Sequence, residues 1–162
     1  MKRLFLAACL IILNTQQSSA LSCMRPSIER SYIAHSEAKA QFILVSCRLT
    51  QKRNVVRGPK IENGLDQRSE NFTATFVGYQ ATRSGFDRPI ETTVAVSVEC
   101  GGPWCGSVQT DALMITFLER TPYGHELTVG PCAGNVFYNP SKTQTARVLQ
   151  CLRGGVCEPQ SR

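Results

Sequence analysis

The sequence lacks a hydrophobic run long enough to cross a membrane. Its one strongly apolar segment, from Leu4 to Leu13, has ten residues, whereas a membrane-spanning helix needs about 20. We therefore expect no transmembrane span. The segment fits an export signal instead, because Lys2 and Arg3 precede it and Ser18-Ser19-Ala20 follows it with the small residues that signal peptidase requires.

Signal peptidase can cut this leader at two positions. Cleavage after Ala20 makes residues 1–20 the signal peptide and residues 21–162 the mature chain, a length typical of one domain. Cleavage after Ser22 makes Cys23 the N-terminal residue. Either cut predicts a secreted or periplasmic protein. The alternative is a lipid anchor on Cys23, because small residues precede this cysteine as they do in lipoprotein signals.

Histidine is scarce, and the motifs of several enzyme classes are missing. The only histidines are His35 and His125, no Cys-x-x-Cys pair occurs, and no complete G-x-S-x-G motif is present. We therefore expect no metal site, no cofactor and no catalytic residue, and the chain is predicted not to be an enzyme. Both histidines are interpreted as ordinary surface or turn residues.

Cysteine, by contrast, is plentiful. Eight cysteines occur, and Cys9 is lost with the leader. The seven that remain are Cys23, Cys47, Cys100, Cys105, Cys132, Cys151 and Cys157. In an exported domain of this size they indicate a disulfide framework, and their odd number leaves one unpaired, acylated or bonded to another chain. Cys47 is the best candidate, because Gln41 to Thr50 is typical of a strand, where a buried cysteine packs as a small apolar residue.

The balance of charge is mildly basic. Removing Lys2 and Arg3 from the 18 basic residues leaves 16 against 12 acidic ones, a net charge of about +4. Five cations cluster in one segment, namely Arg48, Lys52, Arg53, Arg57 and Lys60. We interpret this cluster as a solvated loop between two strands; as a functional patch it would bind an anionic ligand. No aromatic residues alternate with the charges, so nucleic acid is not an expected partner.

Hydrophobic periodicity predicts about five strands. They cover Ala40–Leu49, Asn71–Thr82, Thr92–Cys100, Ala112–Leu118 and Glu126–Val129. The third alternates cleanly, with Val94, Val96 and Val98 on one face. The fourth is a nearly continuous apolar run, which is expected for a strand buried on both faces.

Helical signals stand near the two ends of the mature chain. Ser27 is a suitable N-cap for a short helix from Ile28 to His35. Ser141 and Gln144 fit a capping box for a second helix, which Gly154-Gly155 would end. A Cys151 to Cys157 bridge would fix the turn after this helix.

Five strands with a short helix at each end indicate a small mainly β domain, built as a closed or partly closed barrel. An immunoglobulin-like sandwich would need about seven strands. The one tryptophan, Trp104, lies in Cys100-Gly-Gly-Pro-Trp-Cys105. That segment is typical of a tight loop closed by its own cysteines.

Three segments together resemble the netrin-like module of tissue inhibitors of metalloproteinases, including their bacterial relatives. They are Cys23-Met24-Arg25-Pro26 before a helix, Cys105-Gly106 before a buried strand, and Leu127-Thr128-Val129-Gly130-Pro131-Cys132. The resemblance implies a five-stranded OB-type β-barrel with a short N-terminal helix and a C-terminal helix. It also implies disulfides Cys23 to Cys132, Cys100 to Cys105 and Cys151 to Cys157, which leaves Cys47 over.

The resemblance further implies a mechanism. In these inhibitors the α-amine and carbonyl of an N-terminal cysteine chelate the zinc of an extracellular metalloproteinase and displace its water. The family begins with Cys-x-Cys, which here corresponds to Leu21-Ser22-Cys23, so only a cut after Ser22 restores an N-terminal cysteine. The implied protease contacts are Leu21, Ser22, Cys23, Met24 and Trp104. The alternative function is a non-inhibitory binding or adhesion module that uses the basic segment Arg48 to Lys60.

Overall fold

The computed structural model describes residues 22–59, 68–132 and 134–159. The predicted signal peptide lies outside the described residues, as do two predicted contact residues, Leu21 and Lys60. No helix in the described part of the chain is long and apolar enough to span a membrane.

The chain forms a mainly β structure with one short helix near each end. In chain order the elements are α1 (Ile28–Ser36), β1 (Gln41–Arg57), β2 (Glu70–Ala81), β3 (Phe86–Val98), β4 (Cys100–Gly101), β5 (Trp104–Cys105), β6 (Leu113–Thr121), β7 (Gly124–Val129), β8 (Val136–Tyr138) and α2 (Lys142–Leu152). Both predicted helices and all five predicted strands are confirmed, although several boundaries differ.

Six strands form one sheet in the order β1-β2-β3-β7-β6-β8, and β1 also pairs with β6. Since β1 is bonded to both β2 and β6, five of the strands form a closed ring of pairings. Among the strands that the structure describes, only β3 and β7 pair in parallel. The remaining two strands, β4 and β5, make a separate small hairpin.

Apolar side chains pack on both sides of the sheet. The larger cluster contains the predicted row Val94, Val96 and Val98, which are nearly inaccessible to solvent. The smaller cluster lies on the opposite side of the sheet and includes residues of α1 and α2. Strand β6 contributes to both clusters, as its continuous apolar sequence predicts: Met114 belongs to the larger and Ile115 to the smaller.

The helix ends follow the predicted capping chemistry. The Ser27 side chain accepts a hydrogen bond from the Arg30 backbone N–H at the start of α1. At the start of α2, Ser141 and Gln144 form the reciprocal bonds of a capping box. Gly154 has a φ of 81° just after α2, a conformation that glycine adopts without steric cost.

The disulfide pattern matches the one that the resemblance implies. Cys23 is bonded to Cys132, Cys100 to Cys105 and Cys151 to Cys157. Cys47 is a free thiol buried in β1, with 1% of its surface exposed.

The interpretation of the basic cluster as a loop is wrong for its described residues Arg48 to Arg57, because β1 continues to Arg57. Two register shifts against β2 let the strand continue, one on each side of Arg53. Gln51 and Asn54 have φ values of 50° and 53° there, in the left-handed region that occurs at β-bulges. All residues from Gln51 to Arg57 are exposed, so the prediction that this segment is solvated is confirmed.

Three further differences concern the strands. Strand β3 begins at Phe86, six residues before the predicted start at Thr92. Strand β8, only three residues long, was not predicted. His125 belongs to β7 and not to the turn before it, because β7 begins at Gly124 and pairs His125 with Arg120 of β6.

Candidate functional site

The segment Ser22–Pro26, here called the ridge, is exposed along its whole length. Met24, a large apolar side chain, is 72% exposed. The disulfide from Cys23 to Cys132 joins the ridge to the loop after β7, across 109 residues of sequence. An exposed segment is thereby held at a fixed place on the sheet.

The other end of the ridge enters α1, which is bonded to two other parts of the fold. The Ser31 hydroxyl donates a hydrogen bond to the backbone carbonyl of Gly134, two residues after Cys132. Glu29, in the first turn, forms an ion pair with Arg147 of α2, with 3.1 Å between Arg147 Nη1 and Glu29 Oε1. The Ser27 hydroxyl donates to the other carboxylate oxygen of Glu29 over 2.6 Å. The ridge is therefore anchored at both ends.

Glu29 is 5% exposed, yet its surroundings favour the charged carboxylate. Burial by itself raises the pKa of Glu29, but hydrogen bonds from Ser27 and the backbone, together with the Arg147 guanidinium, outweigh it. The net pKa lies below its ordinary value. Glu29 and Arg147 are thus a charged pair that joins the two helices beneath the ridge.

The hairpin of β4 and β5 adjoins the chain just before Cys132. Gly101 packs against Pro131, the residue before Cys132: a Cβ on Gly101 would lie 3.4 Å from Pro131 Cγ. Trp104 pairs with Gly101 and is 47% exposed. The structure therefore places the predicted contact Trp104 on an element that adjoins the disulfide of the ridge.

Gly106, which follows this hairpin, is required by a close approach of two backbones. A Cβ at position 106 would lie 2.2 Å from the carbonyl oxygen of Val129. Two backbone hydrogen bonds join these segments: the Gly106 N–H donates to the Glu99 carbonyl, and the Glu99 N–H donates to the Val129 carbonyl. Only glycine fits here, and the hairpin is thereby fixed beside the end of β7.

The predicted basic cluster does not form one patch, because strand β1 divides it between two sides of the sheet. Lys52 lies over the ring of the core residue Phe72, with 4.1 Å from Nζ to the ring centroid, and Arg57 is paired with Glu70. Arg48 and Arg53 are opposite Val77 and Thr73, on the side away from that core.

Glu70 neutralises part of this charge. Lys52 and Arg57 both form ion pairs with its carboxylate. Burial by itself raises the pKa of Glu70, but the hydrogen bonds and charges of these two cations outweigh it and leave the pKa below its ordinary value. Two of the predicted ligand-binding cations are therefore already paired within the fold.

Neither histidine is an ordinary surface or turn residue, so this prediction is wrong. The His35 ring stacks on Phe117, with 4.3 Å between centroids, and contacts Phe42 edge-on at 4.6 Å. Burial lowers the pKa of His35. His125 Nδ1 lies 3.1 Å from the Thr92 hydroxyl oxygen, and burial, with the nearby Arg120, lowers its pKa too. Among the described residues, no group of three or more His, Cys, Asp or Glu side chains could hold a metal ion.

The sequence reasoning missed Arg25 within the ridge and three side chains that border the ridge, Glu29, Arg30 and Arg147. They line a groove of about 450 Å³ together with Met24, Pro26, Ser27, Ile28, Gln144 and Pro159. Glu29 could have been recognised in the sequence, because an acidic residue is favourable in the first turn of a helix. Its partner Arg147 could not be recognised in this way, because it is 118 residues away in sequence.

Comparison of the chain with models of known protein families, with curated proteins and with solved structures gives no significant match.

Proposed function

We propose that the chain is an exported netrin-like domain with an OB-type barrel, and that it inhibits a zinc metalloproteinase through the ridge. The observation that carries this proposal is the exposed ridge, anchored by the Cys23 to Cys132 disulfide at one end and by α1 at the other. The closed ring of five strands and the three disulfides support the domain type. Disulfides are typical of exported proteins.

An anchored ridge suits tight binding to a protease cleft. A flexible peptide loses conformational freedom when it is bound, whereas a segment held at both ends has already lost most of it. The exposed side chain of Met24 is free to enter a pocket of the protease. Trp104, on the neighbouring hairpin, would make a second contact.

The chemistry depends on the α-amine of Cys23. A catalytic zinc ion keeps one coordination position open for water; the α-amine of Cys23 would replace that water, and the Cys23 carbonyl oxygen would add a second donor atom. The amine binds metal only when neutral, and an α-amino pKa of about 7.7 to 8.0 makes the neutral form accessible near pH 7. The proposal thus requires that signal peptidase cut after Ser22.

The test uses the protein exported by its own signal and shown by mass to begin at Cys23. Titration against a panel of zinc metalloproteinases is expected to give inhibition of at least one. Cyanate near neutral pH modifies α-amines before lysines, because their pKa is lower, and this treatment is expected to abolish the inhibition. Unchanged inhibition after the treatment, or no inhibition across the panel, would contradict the proposal.

The role of Trp104 is tested by Trp104→Ala. Loss of a partly exposed aromatic contact is expected to weaken inhibition without abolishing it. Tyr123→Ala is the matched control, since Tyr123 is 97% exposed on the distant β6–β7 turn. An equal effect of both substitutions would remove Trp104 from the contact surface.

The second candidate function is a binding module for anionic polymers on the exposed end of β1. It is favoured by the exposure of every residue from Gln51 to Arg57. Because Lys52 and Arg57 are paired with Glu70, Arg48 and Arg53 are the cations expected to carry such binding. Salt-sensitive binding to a heparin column that is lost in Arg48→Gln/Arg53→Gln would support this function, whereas retention of both proteins at equal salt would exclude it.

A further inference from the structure

The groove between the ridge and α2 carries an excess of positive charge. Three arginines line it, Arg25, Arg30 and Arg147, and Glu29 is its one acidic side chain. Glu29 compensates Arg147 through their ion pair. Within the described residues, neither Arg25 nor Arg30 is paired with a carboxylate. Two positive charges therefore remain beside the ridge.

Arg30 is positioned to act together with the ridge. Its side chain extends back from the first turn of α1, so that Nη1 lies 3.7 Å from the Met24 sulfur. Arg25 belongs to the ridge itself and borders both the groove of about 450 Å³ and a second one of about 300 Å³ on the side of Cys132. The Arg30 guanidinium thus lies next to the exposed side chain of Met24, and Arg25 is the residue that follows Met24 in the ridge.

We infer that this groove binds an acidic segment of the partner protein, with Arg25 and Arg30 as the residues that select it. Two exposed guanidinium groups can each receive a carboxylate in a paired hydrogen bond. Met24, Pro26 and Pro159 border the groove with apolar surface. This combination fits a peptide segment with acidic and apolar side chains better than a small inorganic anion, which would use only the charges.

The inference rests on the proposed function in one respect: the partner that binds the ridge is taken to supply the acidic segment. A susceptible protease is then expected to have acidic residues at the rim of its active-site cleft, on the side that meets α2. Complementary charge of this kind raises the association rate and favours one partner over others.

The test measures binding of a fluorescein-labelled hexaglutamate peptide by anisotropy, with no protease present. The exported protein is expected to bind at low salt, and Arg25→Gln/Arg30→Gln is expected to raise the Kd about five- to tenfold. Arg83→Gln/Arg88→Gln is the matched control, because it removes the same charge from two exposed arginines on the β2–β3 hairpin. All four residues are exposed, so the two variants are expected to unfold like the wild type.

A change in Kd confined to Arg25→Gln/Arg30→Gln supports the inference. An equal change in both double variants, or no binding by the wild type at low salt, overturns it. Because the assay contains no protease, such a result leaves metalloproteinase inhibition untouched. Conversely, a protein that binds the peptide but inhibits no protease would refute the proposed function while retaining the acidic-segment site.

Discussion

Arg147→Met should destabilise the fold through a single ion pair. Arg147 reaches from α2 to Glu29 in the first turn of α1. The substitution preserves most of the apolar stem but removes the guanidinium, so the Glu29 carboxylate keeps only the hydrogen bond from Ser27 among its side-chain partners. The Glu29 side chain is 6% exposed, and water can replace the lost partner only in part.

The expected loss of unfolding free energy is about 2 kcal/mol. Breaking a fully buried ion pair by removing one partner costs about 3 to 5 kcal/mol, and the 29% exposure of the Arg147 side chain reduces this figure. Urea unfolding followed by circular dichroism measures the change as a shift of the midpoint. Lys142→Met is the matched control on the same helix, because Lys142 is exposed; it should change stability by less than about 0.5 kcal/mol.

The pH dependence separates charge from packing. Because the pKa of Glu29 is lowered in the folded state, its contribution is complete above its unfolded pKa of about 4.3 and is lost as pH falls through the lower folded pKa. The difference between wild type and Arg147→Met should therefore shrink from neutral pH towards pH 3. An equal stability of the two proteins at pH 7, or a difference that does not change with pH, would contradict a stabilising charge pair between Glu29 and Arg147.

Two other predictions concern the sheet. Gly106→Ala forces a methyl group against the Val129 carbonyl and should lower the free energy of unfolding in urea by about 2 to 4 kcal/mol. At Gly130 the added atom meets nothing within 4 Å, so the control Gly130→Ala should lower it by less than about 1 kcal/mol. Equal losses of stability in the two variants would contradict the close approach of Gly106 to Val129. Burial raises the pKa of the Cys47 thiol to about 12, so a disulfide reagent at pH 8 should label one thiol only after unfolding; rapid labelling of the native protein would show that Cys47 is accessible.

Much of the sheet could be predicted because its signals are local. The alternation of Val94, Val96 and Val98 indicates a strand with one buried face, and the apolar run that contains Met114 and Ile115 indicates a strand buried on two faces. Both expectations are confirmed. Ser27 and Ser141 likewise marked the starts of the helices, since capping depends on residues within one turn.

The end of β1 could not be predicted in the same way. Five of the seven residues from Gln51 to Arg57 are polar or charged, and two register shifts interrupt the alternation that identifies a strand. Pairing with β2, a long-range interaction, keeps Gln51–Arg57 extended. The same shifts determine on which side of the sheet each cation lies, so the sequence could not reveal that Lys52 and Arg57 meet Glu70.

The surroundings of the ridge also depended on long-range contacts. The resemblance implied the Cys23 to Cys132 bond, which the structure contains. The pairing of Glu29 with Arg147 and the groove beside it depend on how α1 packs against α2, and no local pattern reports that packing.

Zinc chelation by Cys23 is tested by comparing two chains as inhibitors of a zinc metalloproteinase: the chain that begins at Cys23 and the same chain that retains Ser22. An added residue moves the free α-amine away from the zinc ion and leaves the Cys23 to Cys132 disulfide and the exposed Met24 in place. The extension is expected to weaken inhibition by about 100-fold or more, a loss of about 2.8 kcal/mol in binding free energy. Equal inhibition by the two chains would contradict zinc chelation by Cys23.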